Sequence, residues 1–156
     1  DYFNLDASTY GRSGKNYGLL YNWFAAKYLN DNKETLIPGW RVPTKADFET
    51  LKATLNSNLD GKMLKSTTDW SNNGNGTDDY QFCAYPAGYR SESGMLFSWL
   101  GTSGRFWTTT VNSNDIPYLA NLSSSSNALT ISEMGQSRTA EGCKCIAISL
   151  RLIRDV

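Results

Sequence analysis

Between Ser66 and Gly104 the chain has neither helical nor strand periodicity. It runs through Asn72-Asn73-Gly74-Asn75-Gly76-Thr77-Asp78-Asp79, then Pro86-Ala87-Gly88-Tyr89-Arg90, then Thr102-Ser103-Gly104. So long an irregular stretch inside a compact domain is uncommon, and is usually either functional or home to elements that periodicity does not reveal. Its backbone N–H and C=O groups must find partners outside a regular ladder, so the flanking segments have to supply the scaffold. With 156 residues in all, that scaffold is expected to be one domain spanning 1–156.

Regular patterns do flank the stretch. Leu20, Trp23, Phe24 and Tyr28 stand at helical spacing around Ala25-Ala26, predicting a helix from Tyr21 to Leu29 that Asn30-Asp31-Asn32 ends. Thr44 has N-cap chemistry, Asp47 can return a bond to that cap, and Phe48, Leu51, Leu55 and Leu59 form a stripe, predicting a second helix from Lys45 to Asn56. After the irregular stretch come strand-like runs at Arg105 to Val111, Tyr118 to Ser123 and Ala128 to Met134, with a hairpin connection at Ser123 to Asn127. A last run, Cys145 to Ile153, alternates as a half-buried strand should. The first 18 residues, with Tyr10-Gly11-Arg12-Ser13-Gly14-Lys15, read as a short strand, a turn and a second entry toward the core.

Composition removes several function classes. Fifteen basic and fifteen acidic residues cancel without clustering, which argues against nucleic acid or an anionic membrane as partner. There is no histidine, so Ser/His and Cys/His nucleophile pairs and His-ligated metals are excluded. Charged residues make up 19% and aromatics 13%, beside many Asn, Ser, Thr and Gly. That mixture suits an ordered, loop-rich, secreted or surface-displayed module. No apolar run is long enough to insert in a bilayer, and Asp1 opens in polar sequence as a mature fragment trimmed of an export segment would. Cys143 and Cys145, placed on a strand, share a face and would rarely bridge each other; one bridge from Cys83 to either is open, beside free thiols.

Five ordered blocks carry a family resemblance: Tyr17-Gly18-Leu19-Leu20-Tyr21-Asn22-Trp23-Phe24-Ala25-Ala26, Gly39-Trp40-Arg41-Val42-Pro43-Thr44, Ala84-Tyr85-Pro86-Ala87-Gly88-Tyr89-Arg90, Phe106-Trp107-Thr108-Thr109-Thr110 and Ser149-Leu150-Arg151-Leu152-Ile153-Arg154-Asp155. Together they resemble the Fibrobacter succinogenes major paralogous domain of exported and surface proteins in gut and rumen bacteria. That family in turn looks like a C-type lectin-like variant distantly similar to the formylglycine-generating enzymes. The resemblance implies an α+β, C-type lectin-like fold, with two helices flanking a small twisted antiparallel sheet, paired N- and C-terminal strands and a long loop region. Relatives often carry a cysteine before the Pro-x-Gly-Trp step and another in the last strand. Here Leu36-Ile37 and Leu152 stand instead, so an aliphatic contact worth about 1.5–3 kcal/mol per side chain is expected in place of a bridge.

The candidate site lies in the loop region. Trp70, Tyr80, Tyr85, Tyr89, Trp99 and Trp107 interleave with Asp78, Asp79, Arg90, Glu92 and Arg105, joining flat apolar faces to polar forks as glycan recognition requires. Trp40, Tyr85 and Trp107 are expected in the core, and Trp70, Trp99, Arg90 and Glu92 at the surface. The ligand-binding set is therefore Trp70, Asp78, Asp79, Arg90, Glu92, Trp99 and Arg105. Asn72, Asn75, Asp78 and Asp79 have the oxygens for calcium but not the spacing of an EF-hand, and Asx turns account for them. The Cys143/Cys145 spacing differs from the active pair of the formylglycine-generating enzymes, and Asp78 and Asp79, adjacent in sequence, diverge rather than flank one bond. The expectation is a non-catalytic recognition or adhesion module, without cofactor or metal, at a bacterial surface. It would bind a glycan, a protein or a neighbouring domain of the same polypeptide; the alternative is a structural accessory or pilus-tip domain.

Overall fold

The computed structural model describes residues 2–4, 17–93, 96–135 and 139–154. Most of the first segment, including Tyr10 to Lys15, lies outside the described residues. The strands are β1 Tyr2–Asn4, β2 Leu19–Asn22, β3 Tyr89–Arg90, β4 Phe97–Ser98, β5 Ser103–Val111, β6 Pro117–Ser123, β7 Thr130–Glu133 and β8 Ala147–Ser149. The helices are α1 Trp23–Asp31, α2 Lys33–Leu36, α3 Lys45–Leu55, α4 Asp60–Leu64 and α5 Ala140–Cys145.

α1 starts at Trp23 rather than Tyr21. Leu20, Tyr21 and Asn22 pair with Ser149, Ile148 and Ala147 of β8, and that ladder overrides helix propensity. Asn22 then caps the helix, its side chain accepting Ala25 N–H at 2.8 Å. The helix runs on to Asp31, and Asn32 of the expected Asn30-Asp31-Asn32 stop caps it; Asn30 Oδ1 accepts Val42 N–H at 3.1 Å, and Lys27 pairs with Asp31 one turn on. α3 matches its signal closely. Thr44 and Asp47 form a reciprocal capping box, and Asn56 closes the helix in the left-handed region at φ 42°. Arg41 grips Asp47 with two bonds of 2.6 and 2.9 Å, and this pairing, with the Thr44 bonds, holds the Asp47 carboxyl well below its ordinary range. Leu59 falls beyond the helix and is 47% exposed, so the buried stripe stops at Leu55.

The strands form one mixed sheet of order β1-β2-β8-β5-β6-β7, with β3 against β8 and β4 against β3. This α+β sheet is larger than expected and not wholly antiparallel, since β5 and β8 run parallel at Phe106↔Ser149. Five helices among the described residues replace the expected two. α4 lies just before the stretch expected to be irregular, β3 and β4 form inside it, and α5 takes Cys145, expected to open the last strand. β8 shows no alternation: Ala147, Ile148 and Ser149 are all buried, because strands flank it and side chains pack on both faces.

Two apolar clusters fill the faces. On one, Trp107, Leu119, Met134 and Ile148 pack under Trp23, Ala26 and Cys143. On the other, Phe106, Ala120 and Leu122 pack under Phe48, Leu64 and Trp70. Trp107 is fully buried and donates Nε1–H to the Tyr21 carbonyl at 2.8 Å. Trp40 and Tyr85, expected in the core, are 45% and 39% exposed; Trp40 N–H donates to the Ile37 carbonyl and so closes the turn before it. Arg41 bridges Ile153, bringing the Pro-Gly-Trp segment beside the last residues. Leu36 is nevertheless exposed, and neither Ile37 nor Leu152 joins a buried cluster, so full aliphatic burial does not replace the family's bridge.

No disulfide forms from Cys83, Cys143 or Cys145 among the described residues. Cys143 and Cys145 lie on α5 rather than a strand, Cys143 buried with its thiol donating to the Met134 carbonyl at 2.8 Å. No helix among the described residues is long and apolar enough to cross a membrane.

Candidate functional site

The irregular stretch keeps its backbone satisfied by leaning on its neighbours. Ser66 N–H reaches the Ala84 carbonyl, Gly76 the Ser66 carbonyl, Asp79 the Met63 carbonyl, and Gly88 the Ser103 carbonyl. Asp69, Asn72, Asn73, Asp78, Gln81, Cys83 and Trp99 all adopt positive φ. For Asn and Asp that conformation is common; for Trp99, at φ 63°, it is an outlier that surrounding contacts must hold.

Those contacts define a groove. The Arg105 guanidinium lies 4.3 Å from the Trp99 ring centroid and 5.4 Å from that of Tyr89, and the two rings meet edge to face at 5.2 Å. Trp99 remains 51% exposed, held by cation–π and aromatic contacts rather than by burial. The floor follows from register. Arg105 stands opposite Asn121, Ser103 opposite Ser123, and Asn121 opposite Thr130, so these side chains project from one sheet face. Farther along, the same face carries Trp107 and Leu119, which α1 and α5 cover. Its polar end is left open.

Asn121 is oriented by its neighbours. Its Oδ1 accepts from Ser103 Oγ at 3.0 Å, and its Nδ2 donates to Thr130 Oγ1 at 3.4 Å. Trp99, Arg105 and Asn121 stand between two adjoining hollows. One, of about 510 Å³, is bounded by Asn72, Thr102 and Ser123 to Ser125; the other, of about 250 Å³, extends toward Ser132, Met134 and Ile146. The wall at Ser123 to Ser126 is pinned from beneath by Lys65, which is 1% exposed and donates to the Ser123 and Ser126 carbonyls at 3.1 and 2.9 Å. Burial, reinforced by Lys62, pushes the Lys65 ammonium below its ordinary pKa.

Of the expected site residues, the structure brings Trp99 and Arg105 together here. Trp70 is not at the surface: it is 5% exposed, and its Nε1–H is shared between the Ala84 carbonyl and Ser66 Oγ. Arg90 is half-buried on β3, pairing with Phe97 and Ala147, and strand alternation sends it to the face away from Tyr89. Glu92 is exposed and lies against the first turn of α5, so close that a Cβ added at Gly142 would stand 2.7 Å from Glu92 Oε2. Asp78 accepts Cys83 N–H at 2.7 Å and the Cys83 thiol at 2.9 Å, and that bond raises the thiol pKa. Asp79 is exposed, anchored through its N–H to Met63. Asn75 Oδ1 accepts Trp70 N–H at 3.0 Å, so in place of the expected Asx turns this loop is tied by side-chain-to-backbone bonds that span five residues. Among the described residues there is no group of three or more acidic or cysteine side chains arranged to hold a metal.

Tyr89, among the candidate aromatics but outside the expected ligand-binding set, belongs to the groove, and Ser103, Asn121, Ser123 and Ser132 were missed. One signal was present: Asn121 and Ser123 interrupt the apolar run of β6 with period two, marking a strand face that is not covered throughout.

The molecule is thus an α+β domain in which a mixed sheet presents a polar, loop-walled groove beside a fixed aromatic–arginine stack. The chain belongs to the Fibrobacter succinogenes major domain family, whose model matches residues 4–154. Comparison with curated proteins and with solved structures finds no match.

Proposed function

We propose that this domain is a non-catalytic recognition module of an exported or surface-displayed bacterial protein, and that it binds glycan in the Trp99–Arg105 groove. The carrying observation is Trp99: half-exposed, in a strained backbone conformation, and stacked by Arg105 and Tyr89. Strain of this kind concentrates at ligand sites, where fixing a ring beforehand lowers the entropy lost on binding. Pyranose rings offer apolar C–H faces to aromatics and hydroxyls to oriented amides and hydroxyls, and Ser103, Asn121, Ser123 and Thr130 supply the latter.

The finer fold reading, a C-type lectin-like variant, belongs to the same proposal. Its support is the Arg41-Val42-Pro43-Thr44 step into α3, the β2–β8 pairing and the long loop segment above the sheet. Family membership and the neutral, hydroxyl-rich composition support export.

A glycan array probed with and without chelator tests the reading, with Trp99→Ala as the control. Signal that survives chelator and vanishes in the variant supports it. Silence of the wild-type domain on both arms overturns it in favour of the structural accessory role.

A further inference from the structure

A second cleft, of about 400 Å³, opens on the other face of the sheet, between α3 and the chain after β8. Pro43, Phe48, Leu51, Phe82 and Ile153 make its walls apolar, Thr50 and Thr54 form its rim, and its one cationic lining residue is Arg151.

Arg151 has an unusual set of partners. Its guanidinium lies 4.4 Å from the centroid of Phe82 and 5.8 Å from that of Phe106, and Nη2 donates to the Phe82 carbonyl at 2.6 Å. No carboxylate of the described residues stands within ion-pair distance of it. Burial lowers its pKa, which marks a cation only partly compensated. The two carboxylates nearby are already engaged. Asp78 turns both oxygens to Cys83, and Asp47, on the cleft wall, is held by Arg41 and Thr44. Arg41 balances the Asp47 charge, and Asp78 acts on Arg151 only through space, so Arg151 is the cation of the cleft lining with guanidinium donors still unspent.

A guanidinium presents five donors in a plane and one is used, so a two-oxygen acceptor is the chemical complement. The apolar walls call for carbon attached to that acceptor. We propose that this cleft binds a small organic acid, its carboxylate on the Arg151 guanidinium and its apolar body against Phe48, Leu51 and Ile153. The site is independent of the groove at Trp99 and stands whether or not that groove binds glycan.

The test is titration of the intact chain with 3-phenylpropionate, 3-phenylpropanol and 3-phenylpropylamine, followed by NMR of backbone amides and by calorimetry. The acid is expected to shift Leu51, Thr54, Phe82 and Ile153 and to leave Trp99 and Arg105 unmoved. The alcohol and amine are expected to bind at least about tenfold more weakly, as loss of a charge-assisted bond implies. Arg151→Gln should abolish the preference for the acid. Should that variant misfold, Thr54→Trp, at an exposed rim position, fills the cleft without touching Arg151 and should abolish binding of the acid. Equal affinity for acid and alcohol, shifts centred on Arg105, or unchanged binding in Thr54→Trp would each overturn the proposal.

Discussion

Gly88 and Gly39 both sit at positive φ, 68° and 78°, yet their surroundings differ completely, and that difference makes a quantitative test of how the groove is built. A Cβ added at Gly39 would meet nothing within 4 Å. One added at Gly88 would stand 2.2 Å from the Ser98 carbonyl oxygen, 2.8 Å from Leu100 N and 2.9 Å from Trp99 C. All three are backbone atoms of the segment that places Trp99, and none can rotate away. Gly39→Ala therefore carries only the left-handed penalty of an L side chain, about 1–2 kcal/mol. Gly88→Ala carries the same penalty plus overpacking, typically about 1–3 kcal/mol more. The clash has to be relieved by moving the 98–100 backbone, which separates β3 from β4 and shifts Trp99 off Arg105. Urea denaturation of the two variants at one pH reads the difference directly. Near-UV circular dichroism should change for Gly88→Ala and not for Gly39→Ala. Equal destabilisation by the two substitutions, with an unaltered aromatic signal, would refute the claim that close backbone approach at Gly88 sets the groove.

Other outcomes follow from charge and capping. Asp47→Asn should cost about 1–2 kcal/mol at neutral pH, as loss of a cap bond and a part-exposed pair implies. Because the folded-state pKa of Asp47 is depressed, its contribution is full above its ordinary value of 3.8 and fades as pH falls below it, so the variant should show a shallower acid limb. Lys65→Met should raise amide exchange at Ser123 to Ser126 while leaving α1 unchanged, and hydrogen-exchange mass spectrometry checks this. The lowered pKa of Lys65 also means that wild-type stability gains from this residue as pH rises through that value toward 10.5, a gain the variant should lack. Asp78→Asn should lower the Cys83 thiol pKa and speed its alkylation at pH 8, read by site-resolved mass spectrometry; an unchanged rate would remove Asp78 as its cause.

Local signals were legible where one short segment contains both halves of an interaction. Thr44 and Asp47 are three residues apart, so α3 and its cap could be read from sequence to within a residue. Tyr21 and Asn22 were misread as helix because their partners in β8 are remote in the chain, and only the assembled sheet turns them into a strand. The alternating run after Cys145 misled in the same way: alternation predicts one open face, and packing on both faces of β8 removed it. Trp70 and Trp99 look alike in sequence, each within polar, turn-prone residues. Trp70 finds two acceptors inside at Ser66 and Ala84, and Trp99 is turned outward by its left-handed backbone.

What the amino-acid sequence determined unaided is chemistry and local geometry: no histidine for catalysis, acidic and basic residues in equal number, a capped helix at Lys45, and a long segment rich in turn residues. Tertiary structure alone decided which aromatics of that segment are core and which are surface, and it assembled the groove from β5, β6, β7 and a loop. The physical reason is range. Caps and turns are settled by atoms a few residues apart, whereas the open end of a sheet face exists only once α1 and α5 have covered the other end.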